Sequence, residues 1–155
     1  LSTPTTIPYK NVDYWLRDLA SAWLNTIHPN GYTHSVPVYY WWDGANKALY
    51  FTSRRDAAKV RYIAAQPAVR LQVSYGEVSI IAEGNAHRVE DSAELTLVEN
   101  AWTQKYPDES FLSSDDALYC VSVTRLCVWE YRGAAQCAEW EFEHLPKLET
   151  VAAAV

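Results

Sequence analysis

The stretch of the sequence densest in reactive groups is Thr52-Ser53-Arg54-Arg55-Asp56-Ala57-Ala58-Lys59-Val60-Arg61, which packs two hydroxyls and four cations into ten residues. Ser53 followed three residues later by Asp56 has the spacing of a helix cap, so a helix is expected to begin where a strand ends. A helix N-terminus presents unpaired N–H groups and the positive end of the backbone dipole, which together receive a phosphate well. Lys59 and Arg61 lie about one turn or less from that cap and are placed to reach the same anion. The plainer alternative is a solvated basic helix face. The chain as a whole carries 13 Lys and Arg against 19 Asp and Glu, a net charge of −6. Any anion must therefore be held by a local cluster, and a general nucleic-acid binder is excluded for want of a basic footprint.

Aromatic residues are the second concentration. Seven Trp, eleven Tyr and three Phe make up 14% of the 155 residues, enough for a β-rich core, a planar ligand, or both. In the run Tyr39-Tyr40-Trp41-Trp42, strand alternation sends Tyr39 and Trp41 to one face and Tyr40 and Trp42 to the other. His28, His34, His87 and His144 form no short-spaced pair with another His or Cys, so no metal site is expected. His34 is the one histidine placed to donate a proton near a ligand. Cys120, Cys127 and Cys137 are an odd number, which points to free thiols in a reducing compartment. Alternation over seven positions would send Cys120 and Cys127 to opposite faces. Glu139, Glu141 and Glu143 alternate with Trp140 and Phe142 as in a half-buried strand with an acidic outer face.

Residues 1–10 read as an extended arm and 144–155 as a tail on a single domain. Asn11 is the expected cap of a first helix whose face is Val12, Trp15, Leu16 and Leu19. Ala22 to His28 and Tyr32 to Trp42 flank Asn30-Gly31, a hairpin signal, and Asp43 to Asn46 turn into a strand from Lys47 to Thr52. A helix from about Arg54 to Gln66 stops at Pro67. Strands from Val69 to Tyr75 and Val78 to Val89, a helix starting at Asp91-Ser92, a strand from Leu118 to Tyr131, the turn Gly133-Ala134-Ala135 and a last strand from Ala138 to Phe142 complete the chain. This predicts an α+β fold of about six or seven mainly antiparallel strands with about three helices, the sheet closing into a barrel to hide its edges.

In order and spacing the sequence resembles the split-barrel flavin and deazaflavin oxidoreductases, the broad family that includes pyridoxamine 5'-phosphate oxidase. The resemblance runs through residues 22–31, His34-Ser35-Val36-Pro37-Val38-Tyr39, Leu49-Tyr50-Phe51-Thr52, Lys59-Val60-Arg61 with Pro67 after it, residues 69–73, and Ala82-Glu83-Gly84-Asn85-Ala86. It implies a split β-barrel that binds FMN or the deazaflavin coenzyme F-420, with haem a more distant possibility, and that forms a homodimer with cofactor sites at the interface. Thr52 and Ser53 would bond the cofactor phosphate, and Lys59 and Arg61 would neutralise it. Ser35, Val36 and Pro37 would run along the ring. Tyr62 stands where many relatives have Asn, and Ala57 where many have Arg, a charge that Arg54 or Arg55 would supply from one turn earlier.

The function expected from the resemblance is hydride transfer, reduction rather than oxidation, between the cofactor and a small planar organic substrate approached by His34, Tyr39 and Trp41. Such chemistry needs no protein nucleophile, in keeping with the absence of Gly-x-Ser-x-Gly, P-loop and His-Glu-x-x-His patterns. The alternatives are a non-catalytic flavin- or haem-binding carrier or sensor, and a pyridoxamine-phosphate-type oxidase. No apolar run approaches the ~18–20 residues of a membrane span. The polar start and the lack of any methionine, even at the first position, suggest a trimmed N-terminus and a cytoplasmic protein.

Overall fold

The structure, a computed structural model, describes residues 7–131 and 135–143. The tail, most of the N-terminal arm, His144 and the Gly133-Ala134 turn lie outside the described residues. The elements run α1 (Tyr9–Asp18), β1 (Ser21–Ile27), β2 (Thr33–Asp43), β3 (Ala48–Arg54), α2 (Ala58–Ala65), β4 (Ala68–Tyr75), β5 (Val78–Arg88), α3 (Ser92–Lys105), β6 (Asp116–Glu130) and β7 (Gln136–Glu141). Every strand pairing is antiparallel, in the order β3-β2-β1-β4-β5-β6-β7, and β3 also pairs with β6. Six strands therefore close into a barrel, and β7 extends it along the far half of β6. This is the α+β split barrel that the sequence led us to expect.

Alternation fills the barrel. Leu24 of β1, Tyr40 and Trp42 of β2, Phe51 of β3, Leu71 of β4, Ile80 of β5 and Val121 of β6 point inward and are buried. Val12 and Leu16 of α1 pack against the same core, and Tyr40 donates to the Leu16 carbonyl oxygen at 2.7 Å. A second cluster lies outside the wall, where Tyr50, Leu118 and Cys120 meet Val98 of α3. The helix therefore covers one outer face. In the first hairpin Gly31 takes φ +89°, the conformation for which the Asn-Gly signal selects.

The structure moves three local features. Helix α1 starts at Tyr9 after Pro8, so Asn11 lies inside the helix rather than capping it. Strand β3 continues through Arg54, and α2 begins only at Ala58 after Ala57, with no side-chain cap. Ser53 is buried in that strand and donates to the Arg54 carbonyl oxygen at 2.9 Å instead of capping a helix. The long antiparallel ladder with β6 holds this segment extended, and that outweighs a local capping pattern. Finally, Cys120 and Cys127 share the outer face. The register between β5 and β6 shifts at Glu83/Gly84, so Val123 and Leu126, three apart, both point into the core. The bulge inserts one residue and reverses parity beyond it.

Candidate functional site

The barrel is split between β2 and β3. Strand β2 pairs with β1 all along Thr33 to Tyr39, but with β3 only over Tyr40↔Phe51 to Asp43↔Ala48. Beyond Tyr40↔Phe51 the two strands part. Thr52, Ser53 and Arg54 stay bound to β6 on their other side, opposite Leu118, Ala117 and Asp116. The split is thus lined by two strand edges whose alternate backbone groups have no strand partner, which amounts to a row of donors and acceptors open to a ligand. Ser35, Val36 and Pro37 lie on one edge, and Thr52, Ser53 and Arg54 on the other. Pro37 was the overlooked signal, because a residue with no N–H belongs on an unpaired strand edge.

Around this opening the predicted cations differ in how they are engaged. Arg54 binds Asp56 through two contacts of 3.0 and 3.2 Å, and Arg55 donates to the Asp116 carbonyl oxygen at 3.1 Å. Arg61 folds back over the first turn of α2 to the Asp56 carbonyl oxygen at 3.4 Å, a long contact. Lys59 is half-buried and, among the described residues, has neither ion pair nor hydrogen-bond partner. Burial alone pushes its ammonium below the usual lysine value, so a charge sits partly desolvated with nothing to compensate it. Helix α2 also begins without a side-chain cap or an acidic residue in its first turn. An uncompensated cation beside an uncapped helix start has the chemistry of an anion site.

The side chains expected on the substrate side separate. Tyr40 and Trp42 fill the core, while Tyr39 is 51% exposed and rests its ring on Tyr106. Trp41 stacks on Tyr50 at 5.5 Å and packs into the cluster under α3. His34 has the parity opposite to Ser35, and its Nδ1 is buried without a partner. Its ring meets Tyr62 edge-on at 5.1 Å, and His28 meets the same ring at 5.0 Å. Tyr62, the departure noted in the sequence, thus wedges α2 against the β1–β2 hairpin.

A groove of about 670 Å³ lies elsewhere, over the outer faces of β1, β4 and β5, lined by Asn25, Ile27, Arg70, Gln72, Glu83 and Asn85 among others. A polar row crosses its floor. The register aligns Ser35, Asn25, Arg70, Glu83 and Arg125 on five successive strands. Ser35 Oγ bonds Asn25 Oδ1 at 2.6 Å, Glu83 holds Arg70 at 2.8 Å and Arg125 at 3.8 Å, and Arg125 reaches Glu139 at 2.6 Å. Sequence reading missed this row because it exists only through strand register. None of the residues expected to touch a cofactor lines the groove, although Ser35 borders it through Asn25. Trp23 and Ile27, 54% and 42% exposed, stand on the same face. No helix among the described residues is long and apolar enough to cross a membrane.

Comparison with known proteins bears on this arrangement. The family model of pyridoxamine 5'-phosphate oxidase matches residues 9–130. A conserved hypothetical protein from Mycobacterium tuberculosis is similar in structure, with TM-score 0.73 at 14% identity, over 96% of this chain and 98% of that one. A pyridoxamine 5'-phosphate oxidase-related, FMN binding protein from Nostoc punctiforme gives TM-score 0.64 at 14% identity, over 89% and 98%. A FAD-binding protein from Mesorhizobium loti gives TM-score 0.60 at 19% identity, over 79% and 94%. A search of curated protein sequences returns no match.

Proposed function

The chain belongs to the pyridoxamine 5'-phosphate oxidase family, and we propose that it binds FMN or coenzyme F-420 in the split between β2 and β3 and acts as an oxidoreductase on a small planar substrate. The observation that carries this reading is Lys59, half-buried and uncompensated in the first turn of the helix that follows the open edge of β3. A phosphate bound there would offset the desolvated charge, with the N–H groups at the start of α2 and the Arg61 guanidinium completing its shell. Thr52 contributes a hydroxyl on the same strand edge. Arg54 and Arg55, already engaged by Asp56 and Asp116, contribute positive potential from further out. FMN-binding and FAD-binding proteins share the fold, which supports a flavin-type cofactor here.

Open backbone groups along Ser35, Val36 and Pro37 would bond the polar rim of a flat ring and hold it edge-on in the split. When bound, the cofactor supplies the hydride chemistry itself. What remains for the protein is to orient the ring, exclude water and present a face to the substrate. Tyr39 is the ring best placed for that contact, since it is exposed on the parity of Ser35 and Pro37. Trp41 instead holds α3, and His34 braces Tyr62.

The groove and the split are separate surfaces of one chain. We read the exposed Trp23, Ile27 and Tyr39 as part of a homodimer face, across which the groove of one protomer would close the split of its partner. Absorption spectra of the purified chain, recorded with FMN, with F-420 and with haem, test the cofactor. A bound flavin or deazaflavin spectrum that weakens in Arg61→Ala is the expected result. A chain that stays colourless with all three ligands overturns the reading, and a haem spectrum alone replaces it with the carrier alternative.

A further inference from the structure

On the outer face of β3, β6 and β5, under α3, the fold assembles a group of residues that the proposed cofactor chemistry does not use. Cys120 of β6 is the register partner of His87 on β5 and of Tyr50 on β3. The three residues therefore form one outward-facing row across three strands, with side chains as close as cross-strand pairs come. Helix α3 docks over this row and brings Glu94 from its first turn, a turn fixed by Asp91 accepting from the Glu94 N–H at 2.9 Å. The ligand atoms of His87, Glu94 and Cys120 all lie within 4.8 Å of one another. We propose that these three residues bind a divalent transition metal, zinc by preference, with a solvent molecule in the fourth position.

The chemistry of the set selects the metal. One thiolate, one imidazole and one carboxylate suit zinc better than magnesium or calcium, which take oxygen donors. The two anionic ligands and the neutral imidazole balance the 2+ charge, and binding expels the Cys120 thiol proton to solvent. Tetrahedral zinc bonds set donor atoms about 3.5 Å apart, so a closure of about 1 Å completes the set. His87 is exposed, and rotation of its ring is the movement that would bring this closure about. Its exposure also leaves the open position on the solvent side, while Cys120 is buried beneath it.

Tyr50 completes the arrangement without being a ligand. Its hydroxyl donates to Glu94 Oε1 at 2.9 Å. It thereby orients the carboxylate, the role that outer hydrogen bonds play at metal centres. An ion here would pin the start of α3 to the wall formed by β3, β5 and β6.

The test uses the full, untagged chain after chelator treatment, titrated with Zn²⁺ by calorimetry and with Co²⁺ as a spectroscopic stand-in. One ion per chain is expected, with a thiolate-to-cobalt charge-transfer band in the near ultraviolet. His87→Ala, at an exposed position, should keep the fold by circular dichroism and lose at least about tenfold in Zn²⁺ affinity. Tyr50→Phe should lose about 10–100-fold. Failure of the chain to take up Zn²⁺, an affinity unchanged in His87→Ala, or bound Co²⁺ without the charge-transfer band would each overturn the proposal.

Discussion

If Lys59 is kept for an anion, its removal should move stability and affinity in opposite directions. Its ammonium is half-buried without a partner among the described residues, and burial alone lowers its pKa. In the ligand-free protein the charge is therefore a cost. Lys59→Met keeps a stem of similar length against the surface and deletes that cost. The group is only half-buried, so solvent screening limits the gain to about 0.5–1 kcal/mol. For a chain of 155 residues this amounts to a rise in Tm of roughly 1–4 °C. Cofactor binding should suffer in the same variant. A charge-assisted hydrogen bond to phosphate contributes about 1.5–3 kcal/mol, so the Kd for FMN or F-420 should rise roughly 10- to 150-fold. The pH dependence carries a sign as well. Phosphate would raise the lysine pKa, so affinity is full at neutral pH and falls as pH climbs through the lowered value of the free protein, short of the ordinary 10.5. Thermal melts by circular dichroism and fluorescence titrations of cofactor measure all three effects. A Lys59→Met variant that melts lower and binds cofactor as well as the parent would refute the reasoning, because Lys59 would then be a structural residue.

Gly84→Ala should destabilise the barrel by about 1–3 kcal/mol in a denaturant melt, because a Cβ there would run into the Ser122 carbonyl group across the bulge. In Tyr106→Phe, the Tyr40 N–H loses its 3.3 Å acceptor, and the Ala20 and Tyr40 carbonyl oxygens lose a hydroxyl at 2.7 and 2.5 Å. A loss of about 1–3 kcal/mol is expected by chemical unfolding. Burial pushes Lys105 down to about 8, against a smaller opposing pull from Asp18. The folded state therefore binds fewer protons than the unfolded state between about pH 8 and 10.5, and the contribution of Lys105 to stability should rise with pH across that window. Comparing pH-dependent melts of the parent with those of Lys105→Met isolates the contribution.

Much of the molecule was legible in one dimension. The period-two runs, the Asn30-Gly31 turn and the Asp91-Ser92 start of α3 placed most strands and helices within a few residues. Local sterics and hydrogen-bonding chemistry decide such features, and neighbours in sequence carry them. The order of motifs pointed to the split barrel, and parity separated the core pair Tyr40 and Trp42 from Tyr39 and Trp41. Local signals failed where tertiary pairing overrode them. Ser53 resembles a helix cap, but β6 holds it in a strand. Cys120 and Cys127 stand at opposite-face spacing, but the bulge at Glu83/Gly84 turns them to the same side.

Composition and local order alone determined that this is one acidic chain with a basic island at Arg54, Arg55, Lys59 and Arg61 and an aromatic-rich antiparallel barrel, and offered a succession of motifs that resembles the pyridoxamine 5'-phosphate oxidase family. Only the tertiary structure decided which cation of the island stands uncompensated, because burial and partners are properties of packing. It alone opened β2 from β3, aligned Ser35, Asn25, Arg70, Glu83 and Arg125 across five strands, and brought His87, Glu94 and Cys120 together from three elements. Strand register sets these juxtapositions over long sequence separations, and no spacing along the chain encodes it.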